Sequence, residues 1–164
     1  TCALPISYLS APGCQGHPPR QDPAAVRVVI DTNVFVSSFF GGLPRRIIRL
    51  WERGEITWCV SADILNEYTA VLLRLGLTGE EELAELLRLF AGGRSSLFVA
   101  KPPTLHVVER DRADDKFIEC AVALKADVIL SGDKDLLSVG HHAGIDILTP
   151  REFINRHFPT AWRL

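Results

Sequence analysis

The chain has 164 residues, of which 47% are hydrophobic and 23% are charged, and its formal net charge is -2. This length suits one domain with its own core, and the near-neutral charge argues against a protein that coats DNA, while leaving room for local basic patches. No apolar run is long enough to cross a membrane. The four cysteines show no metal-ligand spacing and demand no disulfide, which favours a reducing cytoplasm.

Residues 1–25 form a separate first segment. It is rich in proline, glycine, serine and glutamine and shows no hydrophobic period, and it lacks the basic start and compact apolar core of a signal peptide. We predict that this segment is a disordered or non-native leader. The folded domain is predicted to span residues 26–158, and residues 159–164 are predicted to be a short C-terminal tail.

Strands and helices alternate along the rest of the chain. The predicted strands are, in order, VRVVID, ITWCVS, SSLFVA, DVILSG and IDIL. The predicted helices are LPRRIIRLWERGE, ADILNEYTAVLLRL, GEEELAELLRLFAGG, DKFIECAVALKA, DKDLLSVG and PREFINRHF, which carry apolar residues at helical spacing. The alternation predicts an α/β fold, a three-layer α/β/α sandwich with a central, mainly parallel sheet.

Two aspartates stand where strands of this sheet end. Asp31 ends the first strand, and Asp133 follows the strand DVILSG. Parallel strands end at the same edge of a sheet, which is where such folds bind ligands. Either aspartate alone is explained as a turn or helix-cap residue. Together they place two carboxylates at the ligand-binding edge.

Glu67 is harder to explain by local structure. It lies beyond the first turn of its predicted helix and shares a face with Ile64 and Val71, which are apolar. No lysine or arginine stands three or four residues away on either side. A solvated edge position or an ion pair with a distant residue are the simple alternatives to a functional role.

Asp114 and Asp115 open the helix in DDKFIECAVALKA. Capping and compensation of the helix dipole explain either one alone. Asp115 lies three residues before Ile118 and therefore leans toward the buried face. Asp111 is interpreted as a loop or cap residue.

These carboxylates, taken together, predict a metal site. Acids gathered at one edge repel each other and retain protons unless a cation compensates them. Hard divalent cations prefer oxygen ligands, and Mg²⁺ uses a few carboxylates together with substrate phosphate oxygens. An acidic cluster without a glycine-rich phosphate loop is what metal-assisted hydrolysis of phosphodiesters needs.

Four segments, VVIDTNVFVS, VSADILNEY, DRADDKFIECAVALKADVILSGDKDLL and GIDILTPREFI, occur in this order along the chain. In this order they resemble the PIN-domain ribonucleases, and most of all the branch described as toxin components of toxin–antitoxin modules. The resemblance covers residues 26–158 and implies a PIN-like, Rossmann-like sandwich.

The resemblance also implies an acidic metal site that uses Mg²⁺ or Mn²⁺. Its implied ligands and catalytic acids are Asp31 as the central ligand, then Glu67, Asp115 and Asp133, with Asp135 as a lesser candidate ligand. Enzymes of this family cut RNA to leave a 3′-hydroxyl and a 5′-phosphate.

Three polar residues are implied to support this site. Thr32, Asn33 and Ser131 would orient the acids or the water that the metal binds. RNA also needs positive charge near the acids, and the candidates for phosphate contact are Arg45, Arg46, Lys116 and Lys134. Arg45 and Arg46 are the first choice, because the loop after the first strand opens onto the same edge.

The resemblance implies partners as well as a substrate. It predicts an RNA substrate, a cognate antitoxin protein, a homodimer and no membrane association. An aspartyl phosphatase is disfavoured because Asn33 stands where its second aspartate is needed, and a dinucleotide-binding domain because no glycine fingerprint follows the first strand. A non-toxin RNA-processing nuclease, or a silent RNA- or protein-binding module with the same fold, stays open as an alternative.

Overall fold

The computed structural model describes residues 25–79, 81–92 and 95–160. The predicted leader, apart from Ala25, and the predicted tail from residue 161 onward lie outside these residues. None of the helices in the described ranges is both long and apolar enough to span a membrane.

Within the described residues, one sheet is built from strands in the order β3–β2–β1–β4–β6–β5. The strands are β1 Val26–Ile30, β2 Ile56–Ser61, β3 Ser96–Val99, β4 Val128–Leu130, β5 His141–His142 and β6 Ile145–Leu148. All neighbouring pairs are parallel except β5 and β6, which are antiparallel. Strand β1 is therefore central, with β2 and β4 as its parallel neighbours.

Helices connect these strands. They are α1 Thr32–Ser37, α2 Gly42–Glu52, α3 Ala62–Leu75, α4 Glu81–Ala91, α5 Asp115–Ala123, α6 Lys134–Val139 and α7 Pro150–His157. Ser61 caps α3 through its side chain, and Gly76 ends it with a φ of 69°, a left-handed conformation that glycine adopts without strain. The predicted α/β/α sandwich with a mainly parallel sheet is confirmed.

Two of the helices and strands given above were not predicted. Helix α1 begins two residues after the last residue of β1, and its residues Val34 and Phe35 are as apolar as the residues of a buried strand. The carboxylate of Asp31 caps this helix, so the aspartate both ends the strand and starts the helix. Strand β5 has only two residues, both histidines, and a pair that short carries no hydrophobic period.

The backbone before Asp31 is held from several sides. Val28, Val29 and Ile30 are fully buried, and the Tyr68 hydroxyl of α3 donates a hydrogen bond to the Ile30 carbonyl. The Tyr68 ring stacks on Phe35 with centroids 4.2 Å apart. Because both partners are buried, these contacts lock α3 to the end of β1.

Candidate active site

Asp31 lies at the end of β1 and is only 3% exposed. Its Oδ1 accepts hydrogen bonds from the backbone N–H of Asn33 at 2.6 Å and of Val34 at 3.2 Å. Its Oδ2 accepts a hydrogen bond from the Ser131 hydroxyl. The carboxylate is therefore fixed in orientation by the start of α1 and by the loop after β4.

Burial raises the pKa of Asp31 above its ordinary value, and the negative charge of Asp133 raises it further. The hydrogen bonds from Ser131, Val34 and Asn33 oppose this effect because they stabilise the ionised form. Burial is the largest of these causes. A cation near the carboxylate would reverse the balance in favour of ionisation.

Asp133 caps α6 in the same way that Asp31 caps α1. Its Oδ1 accepts hydrogen bonds from the backbone N–H of Asp135 at 2.7 Å and of Leu136 at 3.3 Å. The Asp133 backbone N–H donates to the Ser131 hydroxyl oxygen at 2.9 Å. Ser131 thus contacts both aspartates, and the orienting role that the resemblance implies for it stays a prediction.

Glu67 projects from the middle of α3 and contacts two other elements. The Thr32 hydroxyl of α1 donates a hydrogen bond to its Oε1, and the Lys116 ammonium of α5 forms an ion pair with its Oε2. Of the two alternatives left open by the sequence, the ion pair with a distant residue is the one observed. Sequence spacing could not find it, because the partner lies 49 residues away.

Asp115 does not take the place predicted for it. It is 2% exposed, and its Oδ1 accepts hydrogen bonds from the backbone N–H of Val107 at 2.9 Å and of Val108 at 2.8 Å. Its Oδ2 is buried and has no hydrogen-bond partner among the described residues. Asp115 therefore anchors the loop before α5 instead of facing the other acids.

Asp114, one residue earlier, faces the other acids. It lines a cavity of about 310 Å³ together with Asp31, Thr32, Asn33, Glu67, Val71, Arg74, Phe117 and Asp133. Of the two aspartates, the structure therefore places Asp114 and not Asp115 in this cavity, and the role of Asp115 as a metal ligand stays a prediction. The sequence held a signal for this difference. Asp115 lies three residues before Ile118 and shares its helix face, which indicates that the Asp115 side chain is buried in the core. Asp114 lies three residues before Phe117, which lines the cavity.

The electrostatics of Asp114 reflect this position. Burial, followed by the charges of Asp133, Asp111, Asp31 and Asp135, raises its pKa from 3.8 to about 7. Carboxylates that crowd one cavity disfavour each other's ionisation. A perturbed carboxyl group in a cleft is a mark of a functional site.

This shift predicts how the stability of the metal-free protein depends on pH. Asp114 loses its proton near pH 3.8 in the unfolded chain and near pH 7 in the folded chain, so the folded state binds more protons in between. The free energy of unfolding should therefore fall as the pH rises between these two pKa values. Above about pH 7, Asp114 should cause no further decrease. Because Asp114 is only partly buried, the effect should be a few degrees in Tm at most.

The measurement is thermal unfolding in EDTA at about pH 5 and about pH 8, for wild type and Asp114→Asn. From the lower to the higher pH, the Tm of Asp114→Asn should fall by less than the Tm of wild type. An equal loss in both proteins would show that Asp114 does not carry the shift.

The donor chemistry of the cavity fits a hard divalent cation. Asp31, Glu67, Asp114 and Asp133 offer carboxylate oxygens, which such cations prefer, and a bound cation would oppose the burial and the neighbouring carboxylates that raise the pKa values of Asp31 and Asp114. In the described ranges, no three acidic, histidine or cysteine side chains already converge as a ligand set. One of the four acids, Glu67, is engaged by Thr32 and Lys116.

Several other predicted residues lie away from this cavity. Asp135 lines a neighbouring cavity of about 300 Å³ with Val107, Arg110 and other residues, although its charge still affects Asp114. Lys134 is exposed at the first position of α6. Asp135 as a ligand and Lys134 as a phosphate contact stay predictions.

Arg45, the first choice for a phosphate contact, is used elsewhere. Its Nε donates a hydrogen bond to the Ser38 carbonyl at 2.9 Å, and its Nη2 donates to the Phe39 carbonyl at 2.8 Å. It lines a separate cavity with Arg49, and Arg46 lies half-exposed on α2. The sequence missed Arg74, which lines the acidic cavity two turns after Glu67 on α3.

Comparisons with known proteins agree with this architecture. The family model described as PIN domain matches residues 27–135. The uncharacterized protein MJ1680 of Methanocaldococcus jannaschii is 33% identical over 149 residues, covering 82% of this chain and 94% of that protein. The crystal structure of PAE2754 from Pyrobaculum aerophilum aligns with 80% of this chain and 96% of its own, at a TM-score of 0.49 and 17% identity, which is too distant to add to the argument. Because this family model covers more than half of the residues of the chain, the chain belongs to the PIN domain family.

Proposed function

We propose that this protein is a divalent-metal-dependent endoribonuclease that hydrolyses RNA phosphodiester bonds. The observation that carries the proposal is the cavity in which Asp31, Glu67, Asp114 and Asp133, from four separate segments of the chain, lie together beside the ends of β1 and β4. Membership of the PIN domain family supports it, since this is a nuclease-type fold and PIN domains generally use divalent metal ions.

In this proposal the four carboxylates hold Mg²⁺ or Mn²⁺. Such a cation, when bound, makes water acidic enough to supply a nucleophile near neutral pH and stabilises charge on the phosphate. The protein supplies the orientation of the ligands. Ser131 fixes the positions of Asp31 and Asp133 relative to each other, while the Thr32 hydroxyl orients one carboxylate oxygen of Glu67.

RNA cleavage with and without metal tests the proposal. Purified protein should cut a labelled RNA in Mn²⁺ or Mg²⁺, should be inactive in EDTA, and should leave a 3′-hydroxyl and a 5′-phosphate. Cleavage that continues in EDTA would contradict the metal mechanism. If no RNA is cut in either metal, the alternative of a silent binding module is favoured.

Arg74 is the basic residue proposed to contact the RNA backbone at the cavity. Replacing it with alanine should weaken RNA binding and reduce the slope of log affinity against log salt by about 1, because one phosphate contact is lost. Binding can be measured by fluorescence anisotropy in the Asp31→Asn background, which prevents cutting. Arg53→Ala is a matched control, because Arg53 is exposed and pairs with Glu55 in the turn after α2. Equal salt slopes for the two variants would exclude Arg74.

The narrower role, a toxin with a cognate antitoxin, is proposed from the motif resemblance. Exposed Leu73 and Leu75 on α3 and Leu87 on α4 offer apolar surface for a partner or a second copy of the chain. Expression in a bacterial host should slow growth, and Asp31→Asn should relieve the effect. Normal growth with wild type, and no small adjacent reading frame, would favour the non-toxin RNA-processing alternative. The cytoplasmic location stays a prediction of the sequence.

A further inference from the structure

We propose that Lys116 is an internal counterion of the acidic cavity, which holds Glu67 until a divalent cation displaces it. Lys116 would thereby set the affinity of the site for metal. This inference rests on the proposed metal-dependent function, and it concerns how the protein controls metal loading.

The first observation is that both carboxylate oxygens of Glu67 are engaged. Thr32 binds Oε1 and Lys116 binds Oε2. The side chains of Lys116 and Glu67 are only 21% and 31% exposed, so their ion pair is shielded from water and screened less than a surface pair. Thr32 can keep its hydrogen bond when a metal binds Glu67, because each carboxylate oxygen has a second lone pair, but the positive charge of Lys116 competes with a cation for Oε2.

The second observation concerns where the Lys116 ammonium lies. Its ammonium lies 5.8 Å from the centre of the Phe117 ring, within reach of a cation–π interaction, and Phe117 itself lines the acidic cavity. Lys116 therefore places a positive charge at the rim of the cavity. A divalent cation bound by Glu67 would be repelled by that charge.

The third observation is a second carboxylate whose charge acts on Lys116. Asp63 lies one turn before Glu67 on α3, is exposed, and interacts favourably with the Lys116 charge. If the flexible lysine side chain moves away from Glu67, the charge of Asp63 still attracts its ammonium. Glu67 would then be free to bind the cation, while Lys116 kept a partner.

Calorimetric titration of the EDTA-treated, dialysed protein with Mn²⁺ tests this exchange. Lys116→Met keeps the length of the side chain but removes its charge, and should tighten Mn²⁺ binding by about tenfold or more, the size of effect that a neighbouring charge exerts on an ionisable group. Lys125→Met is the matched control, because it removes an exposed charge just beyond the far end of the same helix, and should change the affinity by less than about twofold. Asp63→Asn should change the affinity in the opposite direction to Lys116→Met.

A double-mutant cycle separates displacement from a general charge effect. In the Glu67→Gln background, Lys116→Met should lose most of its effect on Mn²⁺ affinity, because the paired carboxylate is gone. An undiminished effect in that background would overturn the exchange. The same variants are compared by thermal unfolding in EDTA, where Lys116→Met should lower Tm because Glu67 is left uncompensated.

The outcomes distinguish this inference from the proposed function. If wild type binds Mn²⁺ and Lys116→Met binds it equally or more weakly, the counterion role is overturned while the metal site stands. If wild type and every variant fail to bind Mn²⁺ or Mg²⁺, both are overturned. The inference is supported if Lys116→Met binds Mn²⁺ more tightly than wild type and if this gain in affinity is lost in the Glu67→Gln background.

Discussion

Replacing Asp31 with asparagine is expected to reduce RNA cleavage by at least about a thousandfold while the fold is retained. Asp31 lines the acidic cavity, and asparagine removes its negative charge with little change in shape. An amide oxygen can still accept the hydrogen bonds from Asn33 and Val34 that start α1. The loss should therefore appear in catalysis and metal binding, not in folding.

The stability of this variant provides a second readout. Because burial raises the pKa of Asp31, the folded state disfavours its charge, and asparagine should leave Tm in EDTA unchanged or raise it. Cleavage rates, circular dichroism and Tm are measured beside Asp146→Asn, a control at the opposite end of the sheet, where Asp146 pairs with Val128 in register. If Asp31→Asn cleaves RNA at the wild-type rate, the proposed mechanism is contradicted.

The second large effect contrasts the two adjacent aspartates at the start of α5. Asp114→Asn should reduce cleavage by about a hundredfold or more with the fold intact, because it removes a carboxylate from the acidic cavity. Asp115→Ala should instead destabilise the protein by about 2–4 kcal/mol, since it leaves one buried and one partly buried N–H group without their acceptor. Urea unfolding and cleavage rates on both variants give the two effects separately.

The contrast is sharpened by Asp115→Asn, which keeps an oxygen for Val107 and Val108. It should retain most of the cleavage activity if Asp115 only anchors the loop. If Asp115→Asn abolishes cleavage at unchanged stability while Asp114→Asn remains active, the assignment made from the sequence was right and the geometric one is wrong.

The strands and the two aspartates at their ends were accessible from the sequence. Apolar runs of strand length are local features, and parallel strands necessarily end at one edge. The residue pattern alone therefore brings Asp31 and Asp133 to the same edge of the sheet. Glu67 was suspected for a similar reason, because an acid on the apolar stripe of α3 requires an explanation.

Contacts between distant segments could not be predicted in this way. The Lys116 ion pair with Glu67 depends on how α5 packs against α3, and the Arg45 contacts with Ser38 and Phe39 depend on a turn that no motif marks. Helix α1 was missed because its apolar residues continue the pattern of β1. Each of these features is decided by packing and by a few hydrogen bonds, not by local propensity.

The division between sequence and tertiary structure is clearest at the start of α5. The sequence by itself determined the fold class, the acidic character of the site and its edge of the sheet, because these follow from hydrophobic periods and strand direction. It did not determine which of two consecutive aspartates faces the other acids. Successive helical residues point about 100° apart, so the docking of α5 alone directs Asp115 to the backbone of Val107 and Val108 and turns Asp114 into the cavity.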